Sequence, residues 1–144
     1  MILYLDTSAF IKLYVGEPGA EIVRPAVAKA TVIHSHWMAY PEMRSALARL
    51  HRMGRQTADA HKKHKREFEA DWKLIYAILP NERMLRRAGE LAERFSLRGY
   101  DCVHLAAAES LLIGHGNDFL SFASFDHALN TAASEIGLRL LVAG

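Results

Sequence analysis

Four carboxylates fall where the chain passes from strand-like to helix-like sequence, or where a helix opens: Asp6, Glu42, Asp101 and Asp126. Asp6 ends the apolar run Ile2 to Leu5 and is followed at once by the hydroxyl pair Thr7 and Ser8. An interior penalises a carboxylate heavily, so a buried run that ends on one asks for a chemical reason. Acids brought within a few ångströms of one another repel and raise each other's pKa. A hard divalent cation offsets that cost. Mg²⁺ takes oxygen ligands, keeps several waters and favours sites that also hold substrate phosphates. A set of acids without His or Cys is the wrong donor set for zinc. It suits one or two Mg²⁺ or Mn²⁺ ions that activate water and stabilise a phosphodiester leaving oxygen. Each acid alone also has a plainer reading. Asp6 or Asp101 could be a helix N-cap, Glu42 a dipole-favoured surface acid and Asp126 a turn residue. Glu42, however, shares a helix face with Ala39, Met43 and Ala46, which points it inward.

The elements that must position these acids are legible as short apolar strands alternating with helices. Strands are expected at 2–5, 31–35, 75–79 ("IYAIL", weak), 119–124 ("FLSFAS") and 138–142. A helix is expected from Ser8 to Tyr14, capped by Thr7 or Ser8, and another from Ala20 to Lys29 despite Pro25. The clearest helix carries Ala39, Glu42, Met43, Ala46, Leu47 and Leu50 on one face, with Pro41 in its first turn and Gly54 closing it. A charged helix should run from Gln56 to about Trp72. A further helix spans Glu82 to Phe95, with Leu85, Ala88, Leu91, Ala92 and Phe95 inward. Asp101 opens the next, burying Leu105, Ala108 and Leu112; "GHGND" (114–118) is a loop, and His127 to Ile136 is the last helix. This alternation predicts an α/β fold, a central parallel sheet with helices on both faces, in one domain spanning 1–144. In such sheets ligands bind beyond the carboxyl ends of the strands, where the four acids can meet.

Bulk properties exclude several classes. The 144 residues are 51% hydrophobic and 24% charged, which describes a folded globular chain rather than a disordered one. No apolar run reaches membrane-span length, and no signal peptide is expected. Cys102 is the only cysteine, so no internal disulfide can form, which fits a reducing cytoplasm. A net charge of +2 points only weakly to nucleic acid.

"YLDTSAFIKLY" (4–14), "EMRSALARL" (42–50), "LRGYDCVHLA" (97–106) and "FASFDHAL" (122–129) together resemble the PIN-domain family. Within it the chain is similar to the VapC-type toxins of bacterial and archaeal toxin–antitoxin pairs. The resemblance runs nearly end to end. It implies a three-layer α/β/α sandwich and a Mg²⁺-dependent endoribonuclease whose acidic metal site is Asp6, Glu42, Asp101 and Asp126. It also implies a hydroxyl at Ser124 beside that site, a second at Thr7 or Ser8, a cognate antitoxin that occludes the site, and a homodimer. Asp118 competes with Asp126 for the fourth acidic place, because the loop before the fourth strand is long for the family. Asp126 is preferred, since it follows a strand and completes "ASFD".

RNA would need cations. Arg49, Arg52 and Arg55 recur at three-residue steps and form the best stripe, whereas "HKKHKRE" (61–67) reads as a solvated face. His104, one turn after Asp101, reads as a hydrogen-bonded structural residue rather than a general base. Cys102 reads as a packing residue, and Trp37 and Trp72 suit a core or an interface. The apolar faces around 20–30 and 40–72 could form a groove for an antitoxin helix. Two alternatives stay open at this level: a metal-dependent phosphoesterase acting on another substrate, and a catalytically silent module that binds RNA or a partner.

Overall fold

The computed structural model describes residues 1–116 and 118–143. Five strands form one parallel sheet: β1 (Ile2–Leu5), β2 (Val32–His36), β3 (Tyr76–Ile78), β4 (Leu120–Ala123) and β5 (Arg139–Leu140). Their order is β3-β2-β1-β4-β5, so the chain builds outward from β1 on one side and then returns to build on the other. Among the described residues seven helices cover the sheet: α1 (Thr7–Phe10), α2 (Ala20–Lys29), α3 (Ala39–Arg52), α4 (Ala58–Trp72), α5 (Glu82–Phe95), α6 (Gly99–His115) and α7 (His127–Glu135). A 3₁₀ turn, Ile11–Leu13, continues α1.

The side-chain alternation of a strand divides the core into two layers. Tyr4, Leu120 and Phe122 face α5, α6 and α7 and pack with Leu91, Leu105 and Leu129. Leu3, Leu5 and Ala123 face the other way and pack with Phe10, Met43, Leu47, Phe68 and Trp72 from α1, α3 and α4. The α/β/α sandwich implied by the sequence is the fold.

Several local expectations differ. Asp6, not Thr7 or Ser8, caps α1: its backbone is extended and its carboxylate accepts the Ala9 N–H at 2.9 Å. The expected helix to Tyr14 is one α-turn followed by the 3₁₀ turn. Ala88, Leu91, Ala92 and Phe95 pack inward as expected, but Leu85 is 47% exposed and Met84, one residue earlier, is buried in its place. α6 starts at Gly99, so Asp101 sits in its first turn rather than at its cap. The helix runs on to His115 and absorbs the first part of the expected "GHGND" loop, whose Asn117 lies outside the described residues. The remaining elements match to within a few residues, as element ends usually do. Among the described residues no helix is long and apolar enough to cross a membrane.

Candidate active site

A parallel sheet that reverses its direction of growth opens a crevice at the carboxyl ends of the two strands flanking the reversal. Here those strands are β1 and β4. β1 delivers Asp6, and β4 delivers Ser124 and Asp126, because Leu5 pairs with Ala123 in register.

Asp6 is 3% exposed. It keeps a place inside by accepting hydrogen bonds from the Ser8 hydroxyl (2.7 Å) and the Ala9 N–H (2.9 Å). Burial raises its pKa, and nearby His104 together with bonds from Ser124, Ser8 and Ala9 opposes the rise. The fully buried Ser124 hydroxyl accepts the Asp126 N–H at 3.0 Å. Asp126 caps α7 by accepting the Leu129 N–H at 2.9 Å, which fixes one carboxylate oxygen against the helix start. The buried Asn130 side chain donates to the Ser124 carbonyl at 2.9 Å and holds this turn from below.

Asp101 projects from the first turn of α6 toward Asp126. Burial, and then the charge of Asp126, raise its pKa, and Arg98 opposes them. Arg98 spans the two acids, with Nε 3.3 Å from Asp101 Oδ2 and Nη2 3.8 Å from Asp126 Oδ2. Its side chain is 83% exposed, so it bridges them from solvent. Glu42 comes from the first turn of α3. Its Oε1 accepts from the Thr7 hydroxyl at 2.8 Å and from His104 Nε2 at 2.9 Å. Burial pushes its pKa up, but the bond from nearby His104, aided by Thr7, outweighs that and leaves it lowered.

The four sequence-identified acids therefore share one rim. Among the described residues no three His, Cys, Asp or Glu side chains are gathered closely enough to grip an ion as they stand. Glu42 is engaged with Thr7 and His104, and Arg98 lies across Asp101 and Asp126. The donor set itself fits a hard cation. It offers carboxylate oxygens whose ionisation burial or a neighbouring acid disfavours at Asp6 and Asp101, the electrostatic cost that a divalent ion removes. Asp118 is exposed in the bend before β4 and so lies at the amino end of that strand, opposite Asp126.

A groove of about 680 Å³ leaves the site from Thr7 and Glu42 and runs along α3. Arg49, Arg55 and Tyr100 line it; Arg52 does not. Among the described residues neither Arg49 nor Arg55 has an acidic partner. Lys62, Lys63, Lys65 and Arg66 all stand in solvent, the plain reading of that run. Sequence reasoning missed Arg98, Tyr100 and Tyr4. Arg98 and Tyr100 carry no signal beyond their closeness to Asp101. Tyr4 does carry one, since a tyrosine within a strand buried on both faces must find a partner for its hydroxyl.

A parallel sheet with acids gathered at the carboxyl rim of its central strand is the frame of one class of α/β proteins, and the chain belongs to the PIN domain family, whose model matches residues 3–133. Within that family it is of the VapC type. It is 32% identical to "Ribonuclease VapC49" of Mycobacterium tuberculosis (strain ATCC 25618 / H37Rv) over 139 residues, 96% of this chain and 94% of the relative. Among solved structures its fold is similar to that of "FitAB bound to IR36 DNA fragment", with a TM-score of 0.70 and 17% identity over 97% of this chain and 93% of the other. It is also similar to VapBC2 from Rickettsia felis bound to a DNA fragment from their promoter, with a TM-score of 0.64 and 12% identity over 97% of each chain.

Proposed function

We propose that the chain is a metal-dependent endoribonuclease, the toxin of a toxin–antitoxin pair, which hydrolyses RNA phosphodiester bonds. The observation that carries this reading is the convergence of Asp6, Glu42, Asp101 and Asp126 at the reversal point of the sheet. The VapC ribonuclease relative at 32% identity supports it. The four acids would hold Mg²⁺, or Mn²⁺ in its place. Bound there, the ion supplies acidification of water and compensation of charge on the phosphodiester oxygens.

The chain's own residues do the rest. Ser8 and the Ala9 N–H fix Asp6 as an anionic donor within an apolar interior. Ser124 pins the turn that carries Asp126. The Thr7 hydroxyl, at the head of the groove, orients Glu42 and stands where a scissile phosphate would enter. Arg49 and Arg55 offer unpaired cations to the RNA backbone further along. Arg98, largely exposed, would yield its place across Asp101 and Asp126 to the ion. An antitoxin is the proposed protein partner, supported by toxin–antitoxin complexes among the similar folds. A homodimer and a cytoplasmic location complete the reading.

The test is cleavage of total RNA and tRNA by purified protein, wild type and Asp6→Asn, with Mg²⁺, Mn²⁺ or EDTA. Discrete fragments that require metal and vanish in the variant are expected. Full activity in a folded Asp6→Asn protein would defeat the assignment.

A further inference from the structure

His104 is 2% exposed and stands among Asp6, Glu42 and Asp101. Both ring nitrogens are used. Nδ1 is 2.7 Å from the Tyr4 hydroxyl and Nε2 is 2.9 Å from Glu42 Oε1. Tyr4 is fully buried, and a phenol carries its proton at neutral pH, so its hydroxyl is the donor to the ring. A hydroxyl that donates to Nδ1 leaves the hydrogen of the neutral ring on Nε2, which then donates to Glu42. The ring of Tyr4 is itself clamped, stacked on Phe122 with centroids 5.6 Å apart. Glu42 Oε1 thus receives two hydrogen bonds, from His104 and from Thr7, while Oε2 receives none among the described residues.

We infer that His104, held in a single tautomer by Tyr4, is a positioning residue that occupies one oxygen of Glu42 and leaves the other for the cation. The inference rests on the metal reading of the site. It assigns a task to a histidine and a tyrosine that touch neither substrate nor reacting atoms. Partners of this kind, which orient a ligating side chain, typically change metal affinity by about 10- to 100-fold when removed.

The first measurement is the long-range ¹H–¹⁵N spectrum of the metal-free wild type, in which His104 is expected as the Nε2-protonated tautomer. An Nδ1-protonated ring overturns the inference. The second is Mn²⁺ titration by calorimetry on wild type, Tyr4→Phe, His104→Leu and His104→Gln, with melting temperatures alongside. Tyr4→Phe and His104→Leu are expected to weaken Mn²⁺ binding by about 10-fold, and His104→Gln, which keeps an N–H donor, to restore part of it. Tyr4→Phe preserves shape, so the test stands even if His104→Leu fails to fold. Lower melting temperatures with wild-type Mn²⁺ affinity in Tyr4→Phe would reduce the pair to structural residues and overturn the inference alone. A wild type with no Mn²⁺ affinity would overturn the metal reading and this inference with it.

Discussion

The backbone N–H of Phe125 donates to the Ser8 hydroxyl at 2.9 Å, joining two residues 117 positions apart. The same hydroxyl donates to Asp6 at 2.7 Å. One small side chain therefore ties the end of β1 to the end of β4 and holds the first acid of the site. Ser8→Ala would leave an N–H unpaired and loosen Asp6. The expected loss is about 1–2 kcal/mol of stability, read by urea denaturation, together with slower RNA cleavage. Ser8→Thr keeps the hydroxyl and should recover most of both.

Asp101 is pressed by its surroundings toward its neutral form. A carboxyl whose folded pKa is raised binds its proton more tightly folded than unfolded, so stability falls as pH climbs from the ordinary carboxylate range through the raised value. At neutral pH the metal-free protein bears the whole cost. Asp101→Asn should therefore stabilise the metal-free protein at pH 7, with the gain shrinking toward pH 4. Loss of the exposed Arg98 contact subtracts little. Mn²⁺ should raise the melting temperature of wild type, by mass action, and barely move that of the variant. A variant less stable than wild type at pH 7 would contradict this.

Arg49 and Arg55 line the groove and Arg52 does not. In fluorescence anisotropy with a single-stranded RNA in EDTA, Arg49→Ala and Arg55→Ala should each weaken binding. Each should also lower the slope of log K against log salt by about 1. Arg52→Ala should leave the slope unchanged. Equal effects from all three would point to a diffuse cationic surface rather than a track.

His36 is fully buried, and its Nδ1 accepts the Met38 N–H at 3.0 Å. Burial, and then His104, push its pKa down to about 4. The unfolded chain binds a proton to this ring at about 6.5, so between those values the unfolded state holds more protons. Stability is then lost as pH falls from about 6.5 to about 4, by up to about 3 kcal/mol. His36→Asn offers Met38 an amide oxygen in place of Nδ1 and cannot titrate. Its stability should depend less on pH across that window, as followed by denaturation at stepped pH.

The acids were legible in sequence because each stands at a boundary that hydrophobic period and helix signals mark independently. The strand "ILYL" fixes Asp6, and the face of Met43 and Leu47 fixes Glu42. Residues that reach the site from a distance were not legible in that way. Nothing local says that His104 meets Tyr4, since only the packing of α6 over β1 brings the two rings together. The choice between Asp118 and Asp126 was legible, because one precedes the strand and the other follows it at the carboxyl end. The choice among Arg49, Arg52 and Arg55 needed the rotation of α3. Periodicity placed four of the five expected inward residues of α5 and missed one, where Met84 rather than Leu85 turns in.

β1 sits at the middle of the sheet and takes its two neighbours from stretches far apart along the chain. No continuous half of the polypeptide carries the whole site. A cut in the exposed turn between α3 and α4 would leave Asp6 and Glu42 on one fragment and Asp101 and Asp126 on the other, and neither fragment alone would cleave RNA. The same order governs biosynthesis. A growing chain has no active site until β4 docks beside β1 and α7 begins to wind. The four acids therefore come together only after most of the chain has been made, although the first of them is the sixth residue.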